Sequence, residues 1–178
     1  MRARISRALL ERLERRTPGW VRRIQYQLLL NLTARAFHVR GKYIWQYPEG
    51  RALREYAAFT VQCMERNNAE PEELFDRAYA LGERVRILSG MRERRDLERL
   101  VFCLYRNIGI TMTGRLPGEV TIPRCYFSQC YTPQNCALMS HEDSGFIAGI
   151  FGGGRLCFSQ RLTDGCEACK AEFILIPD

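Results

Sequence analysis

Histidine is close to absent from this 178-residue chain, which has only His38 and His141, so a hydrolase driven by histidine bases is not expected. Long apolar runs are missing too. The longest near the start is Leu28 to Leu30, far short of the ~20 apolar residues that a membrane-spanning helix needs. Charge breaks Met1 to Arg16 at every turn, so no secretion signal is read there and a cytoplasmic protein is expected. No P-loop, no G-x-S-x-G and no H-E-x-x-H occurs, and neither does an internal repeat or a low-complexity tract. Gly152-Gly153-Gly154 is no phosphate loop. It follows a helical pattern, where the negative end of the helix dipole repels anions, and reads as a helix stop.

What is present is ordinary in bulk: 46% apolar and 26% charged residues, enough for one packed domain spanning 1–178. The charge is uneven. Residues 1–40 hold ten Arg and two Glu, an excess of +8; with a net charge of +7, the remainder sums to −1. A basic amphipathic helix over 2–16, with Ile5, Leu9, Leu10 and Leu13 on one stripe, packs on the domain or docks on anionic lipid. Trp20, Leu28 to Leu30 and Trp45 add apolar and interfacial character, so peripheral membrane contact through residues 2–37 is an expectation. Nucleic acid is not an expected partner, because no reading module accompanies the basic residues.

Texture divides the chain into a helical part, 1–109, and a cysteine-rich part, 110–178. Helical periodicity marks about 20–37 (Ile24, Leu28, Leu32 and Phe37 in phase), 52–66, 71–88 and 92–107. Pro48-Glu49-Gly50 reads as the stop of a short aromatic segment. After Ile108, strands are expected around Ile110–Thr113 and Val120–Ile122, a helix from Pro133 to about Phe151, and two alternating segments around a turn at Asp164-Gly165. The expected fold is α+β: helices, then β-β-α-β-β forming a small antiparallel sheet with a packed helix.

Eight cysteines stand at 63, 103, 125, 130, 136, 157, 166 and 169, and five of the positions from 125 to 169 belong to two clusters. In a reducing compartment, clustered thiols hold metal more often than they form disulfides. Cys166-x2-Cys169 sits at a turn, where two thiolates converge on one ion. Cys125 at a strand end and Cys136 at a helix start complete a four-sulfur set, and Cys130 is an alternative ligand or a free thiol. Ligands drawn from separated elements favour an iron–sulfur cluster such as 4Fe–4S, with zinc as the alternative. Cys63 and Cys103 lie among apolar helical residues and read as buried, inert thiols. Cys157 reads as structural.

Asp143 is the candidate catalytic residue. Seven residues make almost two helical turns, so Cys136 and Asp143 fall within ~20° of each other, with Met139 and Phe146 near the same stripe. An acid there is costly to bury unless it binds, pairs or moves protons; the competing reading is a solvent-facing polar bulge in His141-Glu142-Asp143-Ser144-Gly145. His141 is expected to be exposed.

Ile122-Pro123-Arg124-Cys125, the later Cys136 and Asp164-Gly165-Cys166-x-x-Cys169-x-x-x-Phe173 are similar in order to the cysteine-rich domain of the plant plastid β-carotene isomerases of strigolactone synthesis. They also resemble the bacterial L-2-amino-thiazoline-4-carboxylate hydrolase-like family. The likeness covers 120–176 and departs from the isomerases at Tyr131-Thr132-Pro133, where those have a denser run of cysteines. It implies an iron-containing isomerase or hydrolase, with Cys125, Cys136, Cys166 and Cys169 carried over. The expected function is therefore an iron–sulfur enzyme (isomerase, oxidoreductase or hydrolase) acting on a small, apolar or isoprenoid-like molecule. The alternatives are a zinc-stabilised interaction module that docks on lipid or an acidic partner, and a metal-free hydrolase with Cys130 or Cys136 as nucleophile.

Overall fold

Turn residues set most of the helix boundaries in the computed structural model, which describes residues 7–176. Residues 2–6 of the expected basic helix, Ile5 among them, lie outside the described residues. The chain runs α1 (Arg7–Arg15), α2 (Gly19–Ala36), α3 (Glu49–Arg66), α4 (Pro71–Ser89) and α5 (Arg94–Asn107). It then enters β1 (Ile110–Gly114), β2 (Gly118–Cys125), α6 (Pro133–Phe151), β3 (Arg155–Gln160) and β4 (Cys169–Ile174). Pro71 opens α4 with Glu72 and Glu73 in its first turn, where the dipole favours acids, and left-handed Gly90 closes it. Thr132 caps α6 by accepting the Asn135 N–H at 3.2 Å, Pro133 fills the first position, and Gly152 ends the helix at φ 83°.

The protein is α+β. Its sheet has the order β1-β2-β4-β3, antiparallel throughout. Register places Val120 opposite Ala171 and Ile122 opposite Cys169, while Leu156 and Gly118 both pair with Phe173. Strand β4 alternates strictly: Cys169, Ala171 and Phe173 are buried and Lys170, Glu172 and Ile174 are exposed. One face of the sheet is thus core and the other meets solvent.

Helix α6 joins the sheet to the helical part. Its Ser144 Oγ accepts the Leu156 N–H at 2.9 Å, and Phe151 meets Phe173 with ring centroids 5.3 Å apart. Its other side lies backbone-close on α4. A Cβ on Gly145 would collide with the Phe75 carbonyl, one on Gly149 with that of Tyr79, and one on Gly82 with that of Phe146. Three glycines thus let the two helices approach nearer than any side chain would allow.

Three expectations are corrected here. Helix α3 begins at Glu49, because Pro48 supplies an extended residue before a first turn that carries an acid; Pro48-Glu49-Gly50 is a start, not a stop. Ile24 and Leu28 of α2 face outward, and the buried set is Tyr26, Leu29, Leu30, Leu32, Thr33, Ala34 and Ala36. Polar anchoring fixes that rotation: Tyr26 donates to the Asn107 carbonyl and Gln25 to the Leu104 carbonyl, each at 2.8 Å. The periodicity of 71–88 puts Leu88 on one apolar face with Leu74, Phe75, Ala78, Leu81 and Val85, yet Leu88 is exposed. Among the described residues no helix is long and apolar enough to cross a membrane.

Candidate functional site

A cavity of about 70 Å³ opens where α6, the ends of β2 and β4, and helices α2, α3 and α5 converge. One buried water needs roughly 10–15 Å³ on a comparable measure, so there is room for several waters or part of a small molecule. Its walls are mostly apolar, with Leu29, Ile108, Ile110, Phe127, Met139 and Phe146 among them. Among the described residues that line it there is no Lys, Arg or His.

Helix α6 supplies the chemistry. Cys136, Met139, Asp143 and Phe146 all line the cavity, as the two-turn spacing requires, and Glu142 joins them. Tyr105 of α5 donates its hydroxyl to Asp143 Oδ1 at 2.9 Å. Glu142 is 7% exposed. Its Oε2 lies 3.4 Å from the Thr33 hydroxyl and its Oε1 3.4 Å from the Tyr56 hydroxyl, both long contacts. Neither carboxyl has an ion-pair partner among the described residues.

Burial without a countercharge moves both acids. Desolvation raises Asp143 to about 6, with the Tyr105 hydrogen bond pulling the other way. Desolvation and then the charge of Asp143 raise Glu142 to about 8, against the weak donors Thr33 and Tyr56. Tyr56, Tyr105 and Tyr131, all on the lining, are held well above 10, chiefly by burial and the neighbouring acids, so they remain donors.

Three sulfurs share the lining: Cys125 from the end of β2, Cys136 from the first turn of α6, and Cys169 from the start of β4. Burial pushes the Cys125 thiol up to about 12 and raises Cys136 and Cys169 as well. The Leu162 N–H, 3.3 Å from Cys169 Sγ, offsets that only in part. Hydrogen bonding to Thr163 pulls Cys136 the other way, although the contact falls outside ordinary hydrogen-bond geometry and leaves the buried Thr163 hydroxyl without another partner. At neutral pH these are thiols, not thiolates.

Not all the expected site residues gather here. Cys130 is exposed, and neither it nor half-buried Cys166 lines the cavity. Among the described residues no group of three or more His, Cys, Asp and Glu side chains is disposed to hold a metal ion. Cys63 and Cys103 are buried, and Cys157 is exposed on the solvent side of β3. His141 is half-buried instead of exposed; burial first, then the charge of Arg155, holds it below the usual imidazole value. The sequence reading overlooked Glu142, Thr163 and the three tyrosines. Glu142 had a signal: its helix is otherwise so apolar that an acid on either side of Asp143 also had to be inside. Thr163 and the tyrosines had none, since only the tertiary fold brings them together. No family model, curated protein or solved structure matches the chain.

Proposed function

We propose that this chain is an enzyme that transfers protons to and from a small, largely apolar molecule bound in the cavity. One observation carries the proposal: two adjacent carboxyls, Glu142 buried and Asp143 half-buried, face the same space, with pKa values of about 6 for Asp143 and about 8 for Glu142. At pH 7 Asp143 is mainly ionised and Glu142 mainly protonated. Environment has pushed two like groups apart into a base and an acid, the condition for general acid–base catalysis at neutral pH. Asp143 takes the proton, steadied by Tyr105; Glu142 gives one back; the Tyr131 hydroxyl on the lining orients a polar atom of the substrate. A lining without cations favours a neutral substrate over an anion. Proton-shift isomerisation and hydrolysis both fit, in line with the families that 120–176 resembles, and the free thiols suit a cytoplasmic setting.

The test is solvent exchange. Small molecules that raise the melting temperature of the wild type are incubated with it in D2O, and deuterium uptake is followed by NMR. Uptake should occur with the wild type and fall about 10²–10⁴-fold in Asp143→Asn. Equal uptake by Asp143→Asn and Glu142→Gln would end the acid–base reading.

A second reading, motivated by three sulfurs on one lining, is a soft-metal centre at Cys125, Cys136 and Cys169, which would have to draw together on binding because as placed they are not disposed to hold an ion. A metal there would bring Lewis acidity or electron transfer. A cluster or a structural zinc also needs a fourth donor, and Cys166 and Cys130 are the expected ones. Anaerobic purification, an absorption spectrum and metal analysis separate the outcomes. A brown protein with iron and sulfide supports the cluster, and a colourless one with stoichiometric zinc supports the zinc-stabilised module.

A further inference from the structure

The outward side of α2 is apolar where solvent would favour polar residues. Trp20, Ile24 and Leu28 follow at steps of four and are 57, 38 and 46% exposed. They fall within about 80° of one another around the helix, and exposed Asn31 and Arg35 share that arc. A groove of about 330 Å³ runs between this arc and α4, with Leu28 and Leu32 on one wall and Leu81 on the other. Leu88, 71% exposed, continues the α4 side, one face with Leu81 and Arg84.

Every full charge at the groove is a guanidinium: Arg35, Arg77 and Arg84. Arg77 is engaged by Glu73, which also holds His38. Arg35 and Arg84 have no ion pair among the described residues. Asp76 lies round on the neighbouring face of α4, as does Glu83, which pairs with Arg86. Arg12, Arg15 and Arg16, all exposed, precede Trp20 at the end of α1.

We propose that the α2–α4 face docks on an anionic lipid bilayer, with Trp20, Ile24, Leu28 and Leu88 entering the boundary between headgroups and acyl chains while Arg35 and Arg84 meet lipid phosphate and carboxylate. An exposed apolar stripe with a tryptophan at its edge and unpaired arginines beside it has the chemistry of an interfacial surface. A second copy is a poor occupant, because a two-fold contact would set this arginine-bearing face against itself. The proposal stands apart from the cavity chemistry.

Flotation of the full chain with vesicles tests it, using phosphatidylcholine alone and phosphatidylcholine with one third phosphatidylserine. Binding is expected only to the anionic vesicles, with a blue shift of tryptophan emission that Trp20→Phe removes and Trp45→Phe keeps. Each arginine near the surface contributes about fivefold in partitioning, so Arg35→Gln with Arg84→Gln should cost about 25-fold. Ile24→Ser with Leu28→Ser should abolish the shift. These positions are exposed, and circular dichroism confirms that the variants fold. Three results would overturn the proposal: no flotation with anionic vesicles; binding lost in Arg12→Gln, Arg15→Gln, Arg16→Gln but unaffected by changes at 24, 28, 35 and 84; or a wild-type dimer that Ile24→Ser with Leu28→Ser dissociates.

Discussion

Helices α2 and α6 are near equals in length, 18 and 19 residues, and neither has a clean apolar stripe, yet they break the inside–outside rule in opposite directions. Helix α6 carries Ser140, Glu142 and Ser144 into the interior. Helix α2 carries Trp20, Ile24 and Leu28 to the surface. A buried acid and an exposed apolar row both cost free energy in an isolated monomer, and the usual compensation is a function that uses them. For α6 the proposed use is chemistry inside a cavity; for α2 it is the proposed contact with a lipid surface. The two helices are thus best tested by variants that remove each exception separately.

The sharpest difference concerns Asp143. Asp143→Asn keeps the shape and removes the base, so turnover should fall about 10²–10⁴-fold with the fold intact. Glu142→Gln should act differently, by removing the alkaline limb of the pH profile. In the wild type, kcat/KM should rise with pH through about 6 as Asp143 ionises and fall through about 8 as Glu142 does. A profile flat between pH 5 and 9 would break the assignment of both groups.

Stability should show the same pair in another form. Both carboxyls have folded pKa values above their unfolded ones, 3.8 to about 6 for Asp143 and 4.5 to about 8 for Glu142. A raised acid favours the folded state fully below its unfolded pKa, and that contribution is lost as pH rises to the folded value. Between pH 6 and 8, the wild type should lose about 1.4 kcal/mol per pH unit through Glu142, and Glu142→Gln should remove that slope. Urea denaturation across this range measures it. Equal slopes in both proteins would mean that Glu142 is already ionised in the native state.

Much of the fold was legible because α6 and the strands around it are well punctuated. Thr132-Pro133 and Gly152 bound the helix, and β4 alternates without a break. The cavity-facing stripe of Cys136, Met139 and Asp143 followed from helical geometry alone. The orientation of α2 did not, since apolar residues surround most of that helix and Gln25 and Tyr26 choose its buried side through carbonyls some 80 residues away. Nor could spacing show which cysteines meet. Cys166 is only three residues from Cys169, but Cys169 points into the core at the start of a strand and Cys166 sits in the turn before it.

The close contact between α4 and α6 should cost less to disturb than the acids, but more than any surface change. Gly149→Ala drives a methyl into the backbone of Tyr79 and Glu83, so the helices must part, at about 1–3 kcal/mol. Gly50→Ala is the control: a Cβ there meets nothing within 4 Å, and in the first turn of α3 it should be neutral or stabilising by less than about 1 kcal/mol. Similar destabilisation by both would show that the contact is slacker than the glycines imply.

The smallest effect belongs to α2. Leu28 and Leu29 are neighbours of the same residue type, and only one of them is buried. Leu29→Ala should cost about 2–5 kcal/mol, because it removes packing from the cavity wall and leaves a void. Leu28→Ser should cost no more than about 1 kcal/mol, since Leu28 is about half exposed and fills no part of the core. Chemical denaturation of the two variants at one pH compares them directly. A Leu28→Ser loss that approaches the Leu29→Ala loss would mean that the stripe is covered by this chain itself, leaving α2 no face to offer a membrane.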